Sequence, residues 1–185
     1  MIAVVGHRDL DAGTSLAADL CDLLKRCTTE TSVLVRAGAG LPVVAGRAVR
    51  KAGRKLVVLL PAPAPGAGVL PPRDRVAAGE LLVLAEHVRL LPYDPADRDA
   101  SVSADEQLIR SCRQVVAVWD GSPSDGRDAT AHLVAFARAR SIPVTVFWPA
   151  GAVREGVPQG GARSTAADAP PGAGRATAAG SGRYR

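Results

Sequence analysis

The sequence predicts an α/β domain: a mostly parallel sheet of about six strands covered by helices on both faces. Three observations carry this. Short apolar runs alternate with longer stretches whose leucines, valines and alanines recur at helical spacing. The runs are apolar at nearly every position rather than every second one, as strands buried on both faces require. Each run ends at glycine, proline or a polar cluster, the residues that break regular structure.

In chain order, Ile2–Val5 is the first apolar run, ended by Gly6. A helix over Ala12–Arg26 follows, with Leu16, Leu20, Leu23 and Leu24 recurring on one face. Ser32–Arg36 is the second strand. A turn at Gly38-Ala39-Gly40 leads into a helix over Leu41–Ala52, and Lys55–Leu60 is the third strand, closed by Pro61. Pro61–Pro72 is too rich in proline for regular structure. A helix over Arg73–Ala85 and a short strand over Val88–Leu91 come next, stopped by Pro92. Tyr93–Val102 is polar and loop-like. Ser103 with Glu106 makes a capping-box pattern for a helix to about Cys112. Gln114–Trp119 is the fifth strand, Asp128 caps a helix over Ala129–Arg140, and Pro143–Trp148 is the sixth strand. Strict strand–helix alternation calls for parallel pairing by right-handed crossovers. The expectation is a single Rossmann-like three-layer domain over residues 1–150, binding its ligand beyond the carboxyl ends of the strands.

Composition sets the bounds. Apolar residues make up 47% and aromatics only 3% of the 185, so the core is built from Val, Leu, Ala and Ile. Residues 151–185 have almost no large apolar side chains and low complexity, which predicts a disordered tail, or else a segment that covers an edge or a partner. The net charge of +5 is spread rather than gathered into a basic, aromatic-studded face, so a single anionic ligand is expected and no nucleic acid. Cys21, Cys27 and Cys112 lack metal-ligand spacing and read as reduced thiols. No metal site and no cofactor is expected. With neither a signal segment nor a membrane-spanning run, the expected location is cytoplasmic, with no membrane partner.

The candidate site is where the strand exits meet. Gly6 fits a position of close backbone approach, His7 a hydrogen-bonding or structural strand-end group, and Arg8 either a phosphate fork or a surface ion pair with Asp9 or Asp11. Gly38 and Gly40 precede a helix, whose free amides suit an anion or simply a tight turn. After the fifth strand, Asp120 can accept hydrogen bonds from a sugar or base. Gly121 belongs to the same loop; Gly126, Ala129 and Thr130 sit where helix N-terminal amides and a hydroxyl suit phosphate, or simply form a loop capped by Asp128, and His132 lies one turn on.

The segments VVGHRDL, KLVVLLP and ADEQLIRSCRQVVAVWDGSPSDG, followed by DATAHLVAFARARSIPVTVFWP, resemble the SLOG superfamily over residues 1–150. That superfamily takes in the LOG-type proteins once called lysine decarboxylase-like, the DNA-processing protein A fold and small bacterial nucleotide-binding proteins. The Ala- and Arg-rich composition looks actinobacterial. The resemblance implies nucleotide contacts at Gly6, His7 and Arg8, at Gly38 and Gly40, and at Asp120, Gly121, Gly126 and Thr130. LOG-type members split the N-glycosidic bond of a nucleoside monophosphate with a glutamate in a PGGxGTxxE motif. Here Gly-Gly-Thr is Asp128-Ala129-Thr130 and the glutamate position is Leu133.

The expected function is therefore a non-catalytic or divergent binding protein for a nucleotide or related phosphorylated small molecule. One alternative is a phosphoribohydrolase acting on a nucleoside 5′-monophosphate, with Arg8 on the phosphate, Asp120 on the ribose, and His132 or Asp105 at the leaving base. Another is a structural protein with a degenerate pocket. A homodimer formed through surface helices is the expected assembly.

Overall fold

Apolar runs that do not alternate need cover on both sides, and six of them share one sheet. The computed structural model describes residues 1–7, 10–11, 15–27, 31–62, 69–124 and 128–154. Its elements are β1 (Ile2–Gly6), β2 (Leu10–Asp11), α1 (Ser15–Arg26), β3 (Val33–Arg36), α2 (Leu41–Lys51), β4 (Leu56–Pro61), α3 (Pro72–Leu84), β5 (His87–Leu91), α4 (Arg98–Arg110), β6 (Gln114–Val118), α5 (Thr130–Ala139), β7 (Val144–Phe147) and β8 (Val153–Arg154). The main sheet has the order β5-β4-β3-β1-β6-β7 with every neighbour parallel. The Rossmann-like α/β architecture read from the sequence is thus the one observed.

The chain builds outward from β1 through β3 and β4 to β5. α4 then carries it back to β6, on the other side of β1. Crossovers of one hand therefore place helices on opposite faces before and after the reversal. Ile2, Val4, Val33, Val35, Leu56 and Val58 pack with α1, α2 and α3. Ala3, Val5, Leu34, Val57, Val115 and Ala117 pack with α4 and α5. The reversal leaves a switch point between the carboxyl ends of β1 and β6.

The capping of α4 and α5 differs from the sequence expectation. α4 begins at Arg98, not after Ser103. The Asp97 carboxylate caps it by accepting the Asp99 amide at 2.9 Å. Its first turn is mostly polar, so apolar periodicity does not reveal it. Asp97→Ala is expected to lower stability by about 1 kcal/mol, the usual worth of a carboxylate cap, measurable by urea unfolding. At α5 the N-cap position is Ala129, and Asp128 sits one residue ahead with its Oδ1 on the Thr130 amide at 2.7 Å.

The short antiparallel pair of β2 with β8 joins Leu10 to Arg154 and Asp11 to Val153. Two-residue strands are too brief to leave a periodic signal. Of the tail expected from residue 151, residues 151–154 are described and include β8, and the rest lies outside the described residues. Cys21 and Cys112 are buried thiols and Cys27 is partly buried, all free. Burial pushes the Cys112 thiol up, which keeps it protonated and unreactive. Among the described residues no helix is long and apolar enough to cross a membrane.

Candidate functional site at the strand-order reversal

β1 and β6 lie so close at their ends that only glycine fits at position 6. A side chain there would collide with the Val118 carbonyl oxygen and the Leu41 side chain. Gly6 is thus the close backbone approach expected of it. The chain then turns, and the His7 amide donates to the Val118 carbonyl at 3.1 Å.

His7 is 2% exposed and lies between two carboxylates. Its Nδ1 is 2.5 Å from Asp128 Oδ2 and its Nε2 is 2.9 Å from Asp120 Oδ1. Trp148 stands edge-on to the ring at 5.6 Å. Only the imidazolium donates from both nitrogens, so two ionised carboxylates select the charged ring. Both carboxyls are held ionised. Burial works to raise Asp120, but hydrogen bonds from Ser122 and His7 outweigh it and bring it down to about 2. Burial likewise opposes ionisation of Asp128, and bonds from His7 and Thr130 more than compensate. Thr130 is buried beneath the cluster, with its amide and hydroxyl directed to Asp128.

This arrangement separates the roles of its members. With both ring nitrogens engaged and the ring buried, His7 is poorly placed to shuttle protons to a substrate. Its work is to tie the exit of β1 to the loop after β6 and the start of α5. Asp120, at 24% side-chain exposure, is the group a ligand can reach; Asp128 is at 12%. The Ser122 amide donates to Asp120 at 2.9 Å, across a turn in which Gly121 takes a φ of 87°.

A second cluster stands at the exit of β3. Arg36 meets Asp105 of α4 through two bonds, Nε to Oδ1 at 2.6 Å and Nη2 to Oδ2 at 2.9 Å, with both side chains 14% exposed. Burial opposes the guanidinium charge, but Asp105 and Tyr93 outweigh it and raise its pKa. Next to Asp105, Glu106 receives His132 Nε2 at 2.8 Å. His132 is therefore tied across to α4, and its amide meets Ser124 Oγ at 3.0 Å.

The glycine turn after β3 is already in use. Gly40 is the N-cap of α2 at φ 79°, and the Ala39 amide donates to Asp74 of α3 at 2.8 Å. An internal carboxylate occupies the amide that an outside anion would seek. The structure thus brings Gly6, His7, Asp120 and Thr130 together. It places Gly38 and Gly40 at the neighbouring β3 exit and links His132 to α4, while Arg8 and Gly126 lie outside the described residues. Sequence reasoning did not find Arg36, Asp74 or Trp148, or Asp128 as a partner of His7. Residue type alone marks such groups, and their partners are distant in the chain. A hollow of about 150 Å³ lies between β5 and α4, lined by Leu34, Leu59, Arg89 and Gln107 among others, and none of the site residues lines it.

No family model and no curated protein matches the chain. Among solved structures it is similar to DNA processing protein A from Streptococcus pneumoniae, at 17% identity and a TM-score of 0.56, over 78% of this chain and 49% of that one. The chain thus spans about half the length of that protein. An uncharacterized protein from Agrobacterium tumefaciens C58 aligns over 78% of this chain and 61% of its own at 16% identity, but its TM-score of 0.25 carries no argument. The first likeness corrects one expectation. Nucleic acid was excluded for want of a basic, aromatic-rich face, yet a DNA-processing protein carries this fold. A crevice at strand ends can receive one nucleotide of a strand without such a face, so the exclusion does not stand. At this identity the likeness establishes architecture alone, and that architecture is a Rossmann-like α/β fold.

Proposed function

We propose that the domain binds a nucleoside phosphate in the crevice between the ends of β1 and β6, without cleaving it. The observation that carries this reading is the His7–Asp120–Asp128 cluster. It holds an ionised, partly exposed carboxylate at the point where strand order reverses, the place where open sheets of this kind take ligands. A carboxylate there accepts hydroxyls of a ribose. The N-terminus of α5 beside it favours negative charge.

Leu133 supports binding over cleavage. It occupies the position of the glutamate in the LOG-type motif, and it is 4% exposed within the core. A leucine can neither activate water nor stabilise an oxocarbenium-like sugar. The nucleoside phosphate could arrive free or as part of a single DNA strand, and the DNA-processing neighbour gives the strand its own arm in the test. A second reading, a pocket filled from within, is favoured by Asp74 on the Ala39 amide.

Titration calorimetry with AMP, GMP, CMP, UMP and a single-stranded oligodeoxynucleotide tests the proposal. Saturable binding of one of them is expected, weakened about tenfold by Asp120→Asn, as for the loss of one charge-assisted hydrogen bond. Chromatography of the same mixtures should show no free base. Absence of heat in every arm at millimolar ligand would overturn the binding reading. Binding that appears only in Asp74→Ala would favour the filled pocket, and released base would overturn the non-catalytic part.

A further inference from the structure

A helix flanking a sheet ordinarily turns a polar face to water. α3 does not. It buries Ala77, Ala78 and Leu81, yet it also carries Val76 and Val83 outward at 78% and 86% exposure. Leu82, on the side away from the Glu80–Arg47 pair with α2, is 44% exposed.

Beside α3, β5 is an edge strand bonded only to β4. Its Val88 and Leu90 stand in register with Val58 and Leu60. Val58 packs on the α3 side, so Val88 and Leu90 face that side too, at 44% and 60% exposure. Val69, just ahead of α3, is also open. Of the eight large apolar residues exposed among the described residues, six lie on α3, its approach and β5. Together they present on the order of 600 Å² of side chain, the upper end of what a monomer leaves uncovered. With a polar rim this approaches the ~800 Å² that each partner gives to a standard interface.

We propose that this face joins two copies of the chain about a two-fold axis near Gly79. A two-fold contact needs a surface complementary to itself, and α3 supplies one. Gly79 lies on the outer face between Val76 and Val83, where an added side chain would meet nothing within 4 Å. The two helix backbones can therefore approach there, with Val76 of one copy near Val83 of the other. The same contact shields the open flank of β5, an edge that proteins otherwise protect.

Sedimentation velocity of the full chain, from micromolar to several hundred micromolar, is the test. A species of twice 19.0 kDa is expected. Val76→Asp combined with Val83→Glu should raise its dissociation constant by about 100-fold or more, as the loss of two central contacts does. Circular dichroism should be unchanged, because both positions are exposed. Val146→Glu on β7, at the opposite edge, should leave the dimer intact. A wild-type monomer throughout the range would overturn the proposal. So would a dimer that survives the paired substitution, or one lost equally in Val146→Glu.

Discussion

His7→Leu is expected to destabilise the fold by about 3–5 kcal/mol at pH 7, the usual result of removing one member of a buried charged set. Leucine fills the space but leaves Asp120 and Asp128 facing each other without a cation. The pH dependence gives a sharper sign. In the unaltered chain both carboxyls titrate below their ordinary range, Asp120 at about 2. Their contribution is complete above the unfolded carboxylate value of about 3.9 and is lost as pH falls toward the folded value. In His7→Leu the buried Asp128 loses the hydrogen bond that most lowers it and should titrate higher than in the unaltered chain, whereas Asp120 keeps its Ser122 bonds. The folded variant therefore holds its Asp128 proton more readily than the unaltered fold does, and it should lose less stability than the unaltered chain as pH falls from about 5 to about 3. Urea unfolding at pH 7 and at these two values reads both effects. A loss below about 1 kcal/mol, far under that expected for a broken buried pair, or a pH slope identical to that of the unaltered chain, would show that His7 is not the cation assigned to it.

Arg36→Ala should be comparably severe, about 3–5 kcal/mol, because Asp105 would stay behind at low exposure beside Glu106. Arg36→Lys keeps the charge but not the planar fork that meets both carboxylate oxygens, so an intermediate loss is expected. The double change Arg36→Met with Asp105→Leu should recover much of the loss, since an apolar pair of similar volume removes the orphaned charge. Denaturant midpoints of the three variants check the order. Equal losses in the double and single variants would mean that the pair is not coupled.

These two clusters limit what the site can do. Both knit strand exits together with charge rather than offering it freely. Among the described residues, one edge of Asp120 and the start of α5 remain open at the ends of β1 and β6, in keeping with the proposal of a ligand held rather than transformed.

Much of this fold follows from local pattern. Val4, Val35, Val58 and Val116 lie in runs with no polar alternation, and such runs are stable only between two helix layers. That much determines a parallel sheet and where its exits gather. Gly6 and Asp120 could be singled out because a glycine and a carboxylate at the ends of apolar strands stand at the one edge left open. Tertiary structure alone decided who partners whom. His7 finds Asp120 and Asp128 at separations of 113 and 121 residues, and Arg36 finds Asp105 across 69. Spacing along the chain holds no trace of such meetings, because the order of strands in the sheet creates them. The same holds for the early start of α4 at Asp97, for the pairing of β2 with β8, and for the open flank of α3. Propensity acts over a few residues, whereas charge pairing and burial act on neighbours that exist only once the chain has folded.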